Sequence, residues 1–522
     1  MSTHSYAPYH IAIAAFCLCL TILSAGVPFF WDNILLVSKI AHHYYEHGLG
    51  NLLLPNALDS GHPPFYPLYV SLWWKVLGRS LWVSHLAALP FMCLMAWAYF
   101  ALVRLLLPRA IWWFALLLLA IEPAVLAQSV MGAIDLPLVA GHLWAIWALL
   151  QRRRGVLALA VGLMCAVSLR GIIASVLLLA TACLWQLVLY AARLWHGRAL
   201  QRATPPWAAR FLVALEEGRG LATLAAWGMS GVLLLAIGWY NYHYTQTGFW
   251  VHNPQSAWAT APDNHYYESA TIGQAFWHVA IVVWRTLDQG RVAFWLLLGY
   301  VLIQMQRKGR LAGVWSATDK QWLIWLFVPW FLYVGIVVLR NNPIMTRYFL
   351  SYFLLFQLWV LRCWVQSPAT QSPVSEFWYL GGRRRIAAGL TAILLSGHAW
   401  IYPYPISNSW DTTLAYLPYF SAQRQLFDYA RAKQLPYAEV GSAFPLFSAS
   451  KFVYLTDDTL HFTDKIKRPL RDFPYIAYTN ISNEFSPQNL LRIEEYFETE
   501  RQFECAYARV VLYKRKQTLS NP

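Results

Sequence analysis

Apolar runs long enough to cross a bilayer constrain this chain more than any other feature. A transmembrane helix needs about 20 predominantly apolar residues. Only 12% of the residues are charged, about half the fraction usual in a soluble domain. The sequence therefore predicts a mainly α-helical polytopic membrane protein with about eleven transmembrane helices. The eleven runs cover residues 10–28, 81–103, 110–124, 136–150, 156–169, 172–192, 221–240, 291–306, 321–339, 344–363 and 386–402. A further run, 276–287, is too short to span comfortably and is predicted to lie flat or re-entrant.

The distribution of Lys and Arg predicts the orientation of these helices. The loops on one side carry 18 Lys or Arg, against eight on the other side of the membrane part. Cytoplasmic loops of membrane proteins carry the excess of positive charge. We therefore expect a multi-pass protein of the cytoplasmic (inner) membrane, with a cytoplasmic N-terminus and an extracytoplasmic C-terminal region.

The C-terminal residues 403–522 differ in composition from the membrane part at 1–402. They contain 14 Lys or Arg and 13 Asp or Glu, so that their net charge is only +1 of the chain's +15. The basic character thus follows from membrane topology and does not indicate nucleic acid as a partner. Strand-like and helix-like stretches alternate here, which predicts a small α/β domain. The predicted helices are 421–434 and 486–500, and the predicted strands are 438–440, 451–455, 475–478 and 509–513.

The first outer loop, residues 29–80, is long and amphipathic. Apolar residues between positions 34 and 47 recur on one helical face, as in a helix that lies on a membrane surface. A second helix is predicted over 64–77, where Pro63 and Pro64 can start it. His42, His43, Glu46 and His47 leave a zinc site open. We predict instead a solvated helix face and no metal.

Polar residues at the outer ends of the helices are the candidates for chemistry, because ionisable groups at membrane level are costly unless used. Carboxylates could serve as a base, and arginine suits phosphate oxygens because its planar fork donates two hydrogen bonds. Simpler alternatives stay open: the aspartates could cap helices, and the arginines could anchor the protein at the interface. The candidates are Asp32, Asn33, His62, Asp135, Arg170, Arg340, Arg347 and Tyr348.

Two segments of the sequence resemble a known family. They are HPPFYPLYVSLWWKVLG, which begins at His62, and EPAVLAQSVMGAIDLPLVAGHLWAIWALL, which contains Asp135. Together with Asp32 after the first span, they are similar to the GT-C glycosyltransferases, and more narrowly to the bacterial protein-mannosyltransferase-like family that includes the aminoarabinose transferases. The resemblance is strongest over residues 25–150 and continues to Arg347-Tyr348.

The resemblance implies transfer of a sugar from a polyprenyl-phosphate donor to a lipid, glycan or protein acceptor outside the cytoplasm. Asp32 and Asp135 would be the catalytic residues, with Asp32 as general base or as the group that orients the acceptor. Asn33 stands where the family commonly has Glu, and His62 stands where it has Lys or His. Arg347-Tyr348 is similar to an Arg-Tyr pair of the family, and from residue type and position we expect the donor phosphate to be bound by Arg170, Arg347, Tyr348 and Arg340. No cofactor is certain, and a divalent cation is left open.

Two other functions stay open at this point. The chain could be a transporter or flippase, although transporters favour sites at the bilayer midplane and repeated halves. It could also be a polymerase or ligase of lipid-linked glycans on a related scaffold.

Overall fold

The computed structural model describes residues 6–197, 226–251, 253–254, 269–307, 317–340, 344–367, 381–402, 409–481 and 485–517. The membrane part is helical, as predicted. Its helices are α1 (Ala7–Ser24), α2 (Lys39–His47), α3 (Phe65–Leu77), α4 (Leu81–Leu106), α5 (Trp112–Ile121), α6 (Pro123–Met131), α7 (Asp135–Gln151), α8 (Arg154–Val167), α9 (Leu169–Gly197), α10 (Gly238–Thr247), α11 (Ile272–Leu287), α12 (Val292–Arg307), α13 (Ala317–Leu339), α14 (Leu350–Gln366) and α15 (Gly381–Ser396).

Four stretches of helix are long and apolar enough to span a membrane by length and hydropathy: Ala7–Ser24, Leu81–Leu106, Trp322–Leu339 and Thr346–Gln366. The bent pair α5–α6 raises this to five among the described residues. Other predicted spans form shorter apolar helices. The 14 residues of α8 rise only about 21 Å, less than the ~30 Å hydrocarbon core. The polytopic class is confirmed, whereas the number of eleven spans stays a prediction.

The predicted run 110–124 ends at a sharp bend before Pro123. Glu122 is extended, and its side chain accepts a hydrogen bond from the Val125 N–H at 2.6 Å, which caps α6. Proline fits the first turn of a helix but cannot continue one, and it drives the preceding residue out of the helical region. The axes of the two helices therefore meet at 59°, and α6 runs back towards the C-terminal region.

The first loop contains both predicted helices. A π-helical turn, Asn33–Ser38, continues directly into α2, and α3 follows the two prolines. The prediction of a solvated polar face is wrong for His42, which is 1% exposed. Its ring packs edge-on against Trp74 and Phe452, and burial lowers its pKa to about 4. The C-terminal region covers this face of the helix, which no local periodicity indicates.

The C-terminal region contains helices α16 (Leu417–Ala432), α17 (Ser450–Val453) and α18 (Pro487–Tyr496) and strands β1 (Val440–Ser442), β2 (Thr463–Asp464), β3 (Tyr475–Thr479), β4 (Phe497–Cys505) and β5 (Ala508–Arg515). The sheet order is β2-β1-β3-β5-β4. β1 is parallel to β2 and β3, whereas β5 is antiparallel to β3 and β4. A small α/β unit is therefore present, as predicted.

One predicted element in this region is wrong, and another is too long. Residues 451–455 were expected to form a strand but lie mainly in the short helix α17. Their backbone carbonyls bind the first loop instead of a sheet: Phe452 accepts from Ser38 Oγ at 2.7 Å, and Val453 accepts from the Phe29 N–H. The predicted helix 486–500 stops at Tyr496, because residues 497–505 pair with β5 in a long hairpin.

The C-terminal region packs directly onto the first loop. The ring of Phe30 stacks on Tyr416 with centroids 4.6 Å apart. Lys451 Nζ and Glu46 Oε1 form an ion pair at 2.6 Å. These contacts hold the segment that follows residue 408 at the end of the helical bundle where the first loop lies. The domain boundary at residue 402 stays a prediction, since residues 403–408 lie outside the described ranges.

Candidate active site

Asp32 lies at the start of the π-helical turn, and its side chain makes no capping hydrogen bond there. The preceding residue, Trp31, has a positive φ of 50°, which is uncommon for a bulky side chain. The Asp32 carboxylate instead accepts a hydrogen bond from Arg347 Nη2. Helix capping therefore does not account for Asp32.

Arg347 is the centre of a buried ion-pair cluster. It lies in a 3₁₀ turn, Thr346–Phe349, that leads into α14. Its Nη2 binds Asp32, its Nη1 binds Asp411, and its Nε lies 3.4 Å from Asp135 Oδ2. Three carboxylates from distant parts of the chain thus converge on one guanidinium.

Asp135 is held by two arginines at the start of α7. Arg170, in the first turn of α9, places Nη2 3.0 Å from Asp135 Oδ1. No side chain caps α7, so Asp135 is used for pairing. With Arg170 included, three carboxylates face two guanidiniums, which leaves one formal negative charge on the cluster.

The carboxylates of the cluster differ sharply in accessibility. The side chain of Asp32 is 26% exposed, against 3% for Asp135 and 2% for Asp411. A substrate could therefore reach Asp32 without displacing the other two. Asp32 is thus the accessible carboxylate of the cluster, and Asp135 and Asp411 are the two buried ones.

Asp411 is the residue of the cluster that the sequence did not reveal. It lies in a 3₁₀ turn, Trp410–Thr412, in the C-terminal region, outside the segments that carry the family resemblance. The one available signal was its position, nine residues beyond the end of the last apolar run. That signal does not distinguish Asp411 from other polar residues of the region.

Tyr348 joins the two arginines of the site. Its ring lies under Arg170, with Cζ 4.2 Å from the centroid, and Arg347 Cζ is 5.5 Å away. Such cation–π contacts fix a guanidinium without neutralising it. Arg170 Nη1 is buried and has no hydrogen-bond partner among the described residues. Arg170 thus retains a free donor, whereas Arg347 is shared among three carboxylates.

His62 supports the site from the first loop. Its Nδ1 accepts a hydrogen bond from the Leu169 N–H at 3.2 Å, next to Arg170. Burial, followed by the positive charge of Arg170, lowers the pKa of His62 to about 4. The imidazole is therefore neutral at pH 7, and it holds the turn before α9 rather than supplying a cation.

The lowered pKa of His62 predicts a loss of stability in acid. Below about pH 6.5 the unfolded chain takes up a proton that the folded protein refuses until about pH 4, so stability falls as the pH falls through this window. His42 contributes in the same direction. We expect His62→Gln to reduce, without abolishing, the drop in melting temperature between pH 7 and pH 4.5. The exposed control His461→Gln should retain the full drop, and an equal drop in both variants would contradict the assignment.

Asn33 and Arg340 are the two remaining predicted site residues. Asn33 is 4% exposed and follows Asp32 in the π-helical turn. Arg340 is exposed, and its backbone forms an isolated bridge with Ser269. The turn Asn341-Asn342-Pro343 beyond it lies outside the described residues. The phosphate-binding role of Arg340 therefore stays a prediction.

A close backbone approach fixes the position of Arg170. A Cβ atom on Gly171 would lie 2.1 Å from the Met164 carbonyl oxygen, so only glycine fits where α9 turns back on α8. We expect Gly171→Ala to destabilise the protein by about 1–3 kcal/mol and to displace Arg170. Gly389→Ala is the matched control, since a Cβ there meets nothing within 4 Å. The comparison is made by thermal unfolding in detergent, where equal melting temperatures would refute the packing argument.

An apolar pocket lies on the other side of the 3₁₀ turn that carries Arg347. Arg285 and Arg291 line it, and Thr346 connects it to the cluster. Both arginines are paired: Arg285 with Asp288 at 3.2 Å, and Arg291 with Glu122. The remaining lining is formed by Thr286, Trp295, Leu326, Phe327, Trp330, Phe349, Tyr352, Phe353 and Phe356. A long apolar chain could pack there with its polar end near Arg347.

Within the described ranges, no three His, Cys, Asp or Glu side chains are grouped closely enough to hold a metal ion. The carboxylates of the cluster converge on Arg347 from different directions. Around His42, Glu46 pairs with Lys451, and His42 itself is buried. The arrangement around Arg347 is therefore a charge-paired cluster of three carboxylates and two guanidiniums.

Comparisons with known proteins give the fold. No family model and no curated protein matches the chain. The crystal structure of ArnT from Cupriavidus metallidurans bound to undecaprenyl phosphate matches 99% of this chain and 100% of its own, with a TM-score of 0.51 and 14% sequence identity. The chain has an ArnT-like fold. The apo form of the same protein matches with a TM-score of 0.49 and 15% identity, over 99% of each chain. Because the match to the form bound to undecaprenyl phosphate covers 99% of this chain, the ArnT-like fold includes the C-terminal region, and the predicted resemblance of fold is confirmed.

Proposed function

We propose that this protein transfers a sugar from a polyprenyl-phosphate donor to an acceptor on the outer side of the cytoplasmic membrane. The observation that carries this proposal is the accessible Asp32 carboxylate, held by Arg347 beside two buried carboxylates. A fixed, reachable carboxylate is what a hydroxyl or amine acceptor needs from a general base. The excess of Lys and Arg in the opposite loops supports the orientation.

The reaction is a direct displacement at the anomeric carbon. The acceptor's proton passes to Asp32 while its oxygen or nitrogen forms the new bond to the sugar. The bond between the anomeric carbon and the phosphate oxygen breaks, and the electron pair leaves with polyprenyl phosphate. Because attack comes from the face opposite the phosphate, the configuration of the anomeric centre is inverted.

The leaving phosphate requires positive charge rather than a proton. Arg170 is the best-placed donor for it, because its Nη1 is unpartnered in the described structure and its plane rests on Tyr348. Arg347 lies next to it, although its charge is already shared among three carboxylates. The polyprenyl tail would lie in the apolar pocket that Thr346 joins to the site. The undecaprenyl phosphate in the ArnT structure supports a carrier of this class.

Mass spectrometry of lipid-linked and surface glycans tests the proposal. Cells with and without the protein are compared, together with cells rescued by wild type or by Asp32→Asn. We expect deletion to remove one sugar from an acceptor and to accumulate it on polyprenyl phosphate, with restoration by wild type alone. Unchanged glycans in every strain, together with substrate-dependent transport in proteoliposomes that survives Asp32→Asn, would establish a transporter instead.

A further inference from the structure

The segment that carries Asp411, residues 409–413, is fixed by the ends of three membrane-part elements. Gln128 Nε2 donates to the Asp411 carbonyl at 2.7 Å, and Gln289 Nε2 donates to Thr412 Oγ1 at 2.6 Å. Thr346 Oγ1 donates to Ser409 Oγ at 3.3 Å. None of these bonds uses the Asp411 carboxylate, so the backbone of the segment is held independently of that side chain.

The Asp411 carboxylate shares one guanidinium with Asp32. It binds Nη1 of Arg347, while Asp32 binds Nη2. Burial of a carboxylate is costly unless it is paired and used, and Asp411 is 2% exposed. The charged and titratable groups that face the pair come from the first loop, α7, α9 and the turn before α14: His62, Asp135, Arg170, Arg347 and Tyr348.

We propose that Asp411 is a positioning residue of the transfer reaction, which divides the charge of Arg347 so that Asp32 remains able to accept a proton. This inference rests on the proposed function. A guanidinium that faced Asp32 alone would stabilise the ionised carboxylate more strongly and make it a weaker base. The C-terminal region therefore supplies part of the active site and does more than cover it.

Neutralising Asp411 has consequences that distinguish this role from a purely structural one. Asp411→Asn removes a negative charge from the cluster, whose formal charge changes from −1 to 0. The acid limb of the pH–rate profile should move down by about half a pH unit, and kcat should fall about two- to threefold, because a base with a lower pKa accepts a proton less readily. A structural role alone would lower the amount of active protein and leave the acid limb unchanged.

The experiment compares wild type, Asp411→Asn and Asp411→Glu, each purified in detergent. The donor is undecaprenyl phosphate that carries the sugar identified by the glycan comparison, and binding of undecaprenyl phosphate alone is measured beside it. Asp457→Asn is the matched control. Asp457 lies in the same C-terminal region as Asp411, and its carboxylate forms a surface ion pair with Arg79 of the first loop. Melting temperatures check that each variant is folded.

The proposal is supported by a shifted limb and lower kcat in Asp411→Asn, recovery of the limb in Asp411→Glu, and no shift in Asp457→Asn. A folded Asp411→Asn whose acid limb matches wild type overturns the role of Asp411 and leaves the proposed function intact. A wild-type protein that neither transfers the sugar nor binds undecaprenyl phosphate overturns the proposed function, and this inference with it.

Discussion

Replacing Asp32 with asparagine should lower the rate of sugar transfer by about 10²–10⁴-fold, the usual contribution of a positioned general base. Asparagine retains the size of the side chain and can still meet Arg347, but it cannot take up the proton of the acceptor. Because Asp32 is the most exposed carboxylate of the cluster, its replacement leaves the buried pairs of Asp135 and Asp411 in place. The variant should therefore fold and bind donor as wild type does.

Single-turnover transfer assays in detergent or nanodiscs measure this effect, and a melting curve confirms folding. Asp428→Asn is the matched control, since Asp428 also pairs with an arginine but is 74% exposed on α16. The control should turn over normally. Near-normal transfer by Asp32→Asn would remove Asp32 from the mechanism and leave the fold unaffected.

Replacing Arg347 with glutamine should destabilise the protein by about 3–5 kcal/mol, because removal of one partner leaves buried charge uncompensated. Asp411 would lose its ion pair, and Asp135 would retain only Arg170. The sequence predicts Arg347 as a ligand of the donor phosphate. From the structure we expect a larger effect on stability than on binding, because Arg347→Gln would unfold the protein before a loss of donor affinity could be measured.

Thermal unfolding of Arg347→Gln and of the double variant Arg347→Gln/Asp411→Asn measures this effect. The second substitution removes one unpaired charge, so the double variant should melt above the single one. Arg431→Gln, at a surface pair that is 65% exposed, should unfold like wild type. A single variant as stable as wild type, with reduced affinity for undecaprenyl phosphate, would instead return Arg347 to phosphate binding alone.

Several residues of the site were predictable because their signals are local. Asp32, Asp135 and Arg170 each lie where an apolar run begins or ends, and ionisable residues at such positions carry an expectation of function. Arg347 and Tyr348 follow from the family resemblance. His62 was identified for its place in the motif, although its geometry indicates support of the turn at Leu169.

Asp411 was not predictable, because its importance comes from a contact and not from a pattern. Nothing around it in the chain distinguishes it from the other carboxylates of the C-terminal region. The same holds for residues 451–455, whose strand-like composition gives way to a helix because their carbonyls bind the first loop. His42 likewise follows a helical period that indicates a polar face, yet the C-terminal region buries it.

The sequence by itself determined that the chain forms apolar helices, with carboxylates and arginines at their ends, and a small α/β region after them. Helical periodicity and the length of an apolar run are local properties, which the order of residues in the sequence fixes without reference to tertiary contacts. The tertiary structure decided which of these charges meet: Asp32 and Arg347 are 315 positions apart, and Asp411 joins them from the C-terminal region. Their convergence depends on helix packing, on the bend before Pro123 and on the close approach at Gly171, because these features bring the helix ends around one guanidinium.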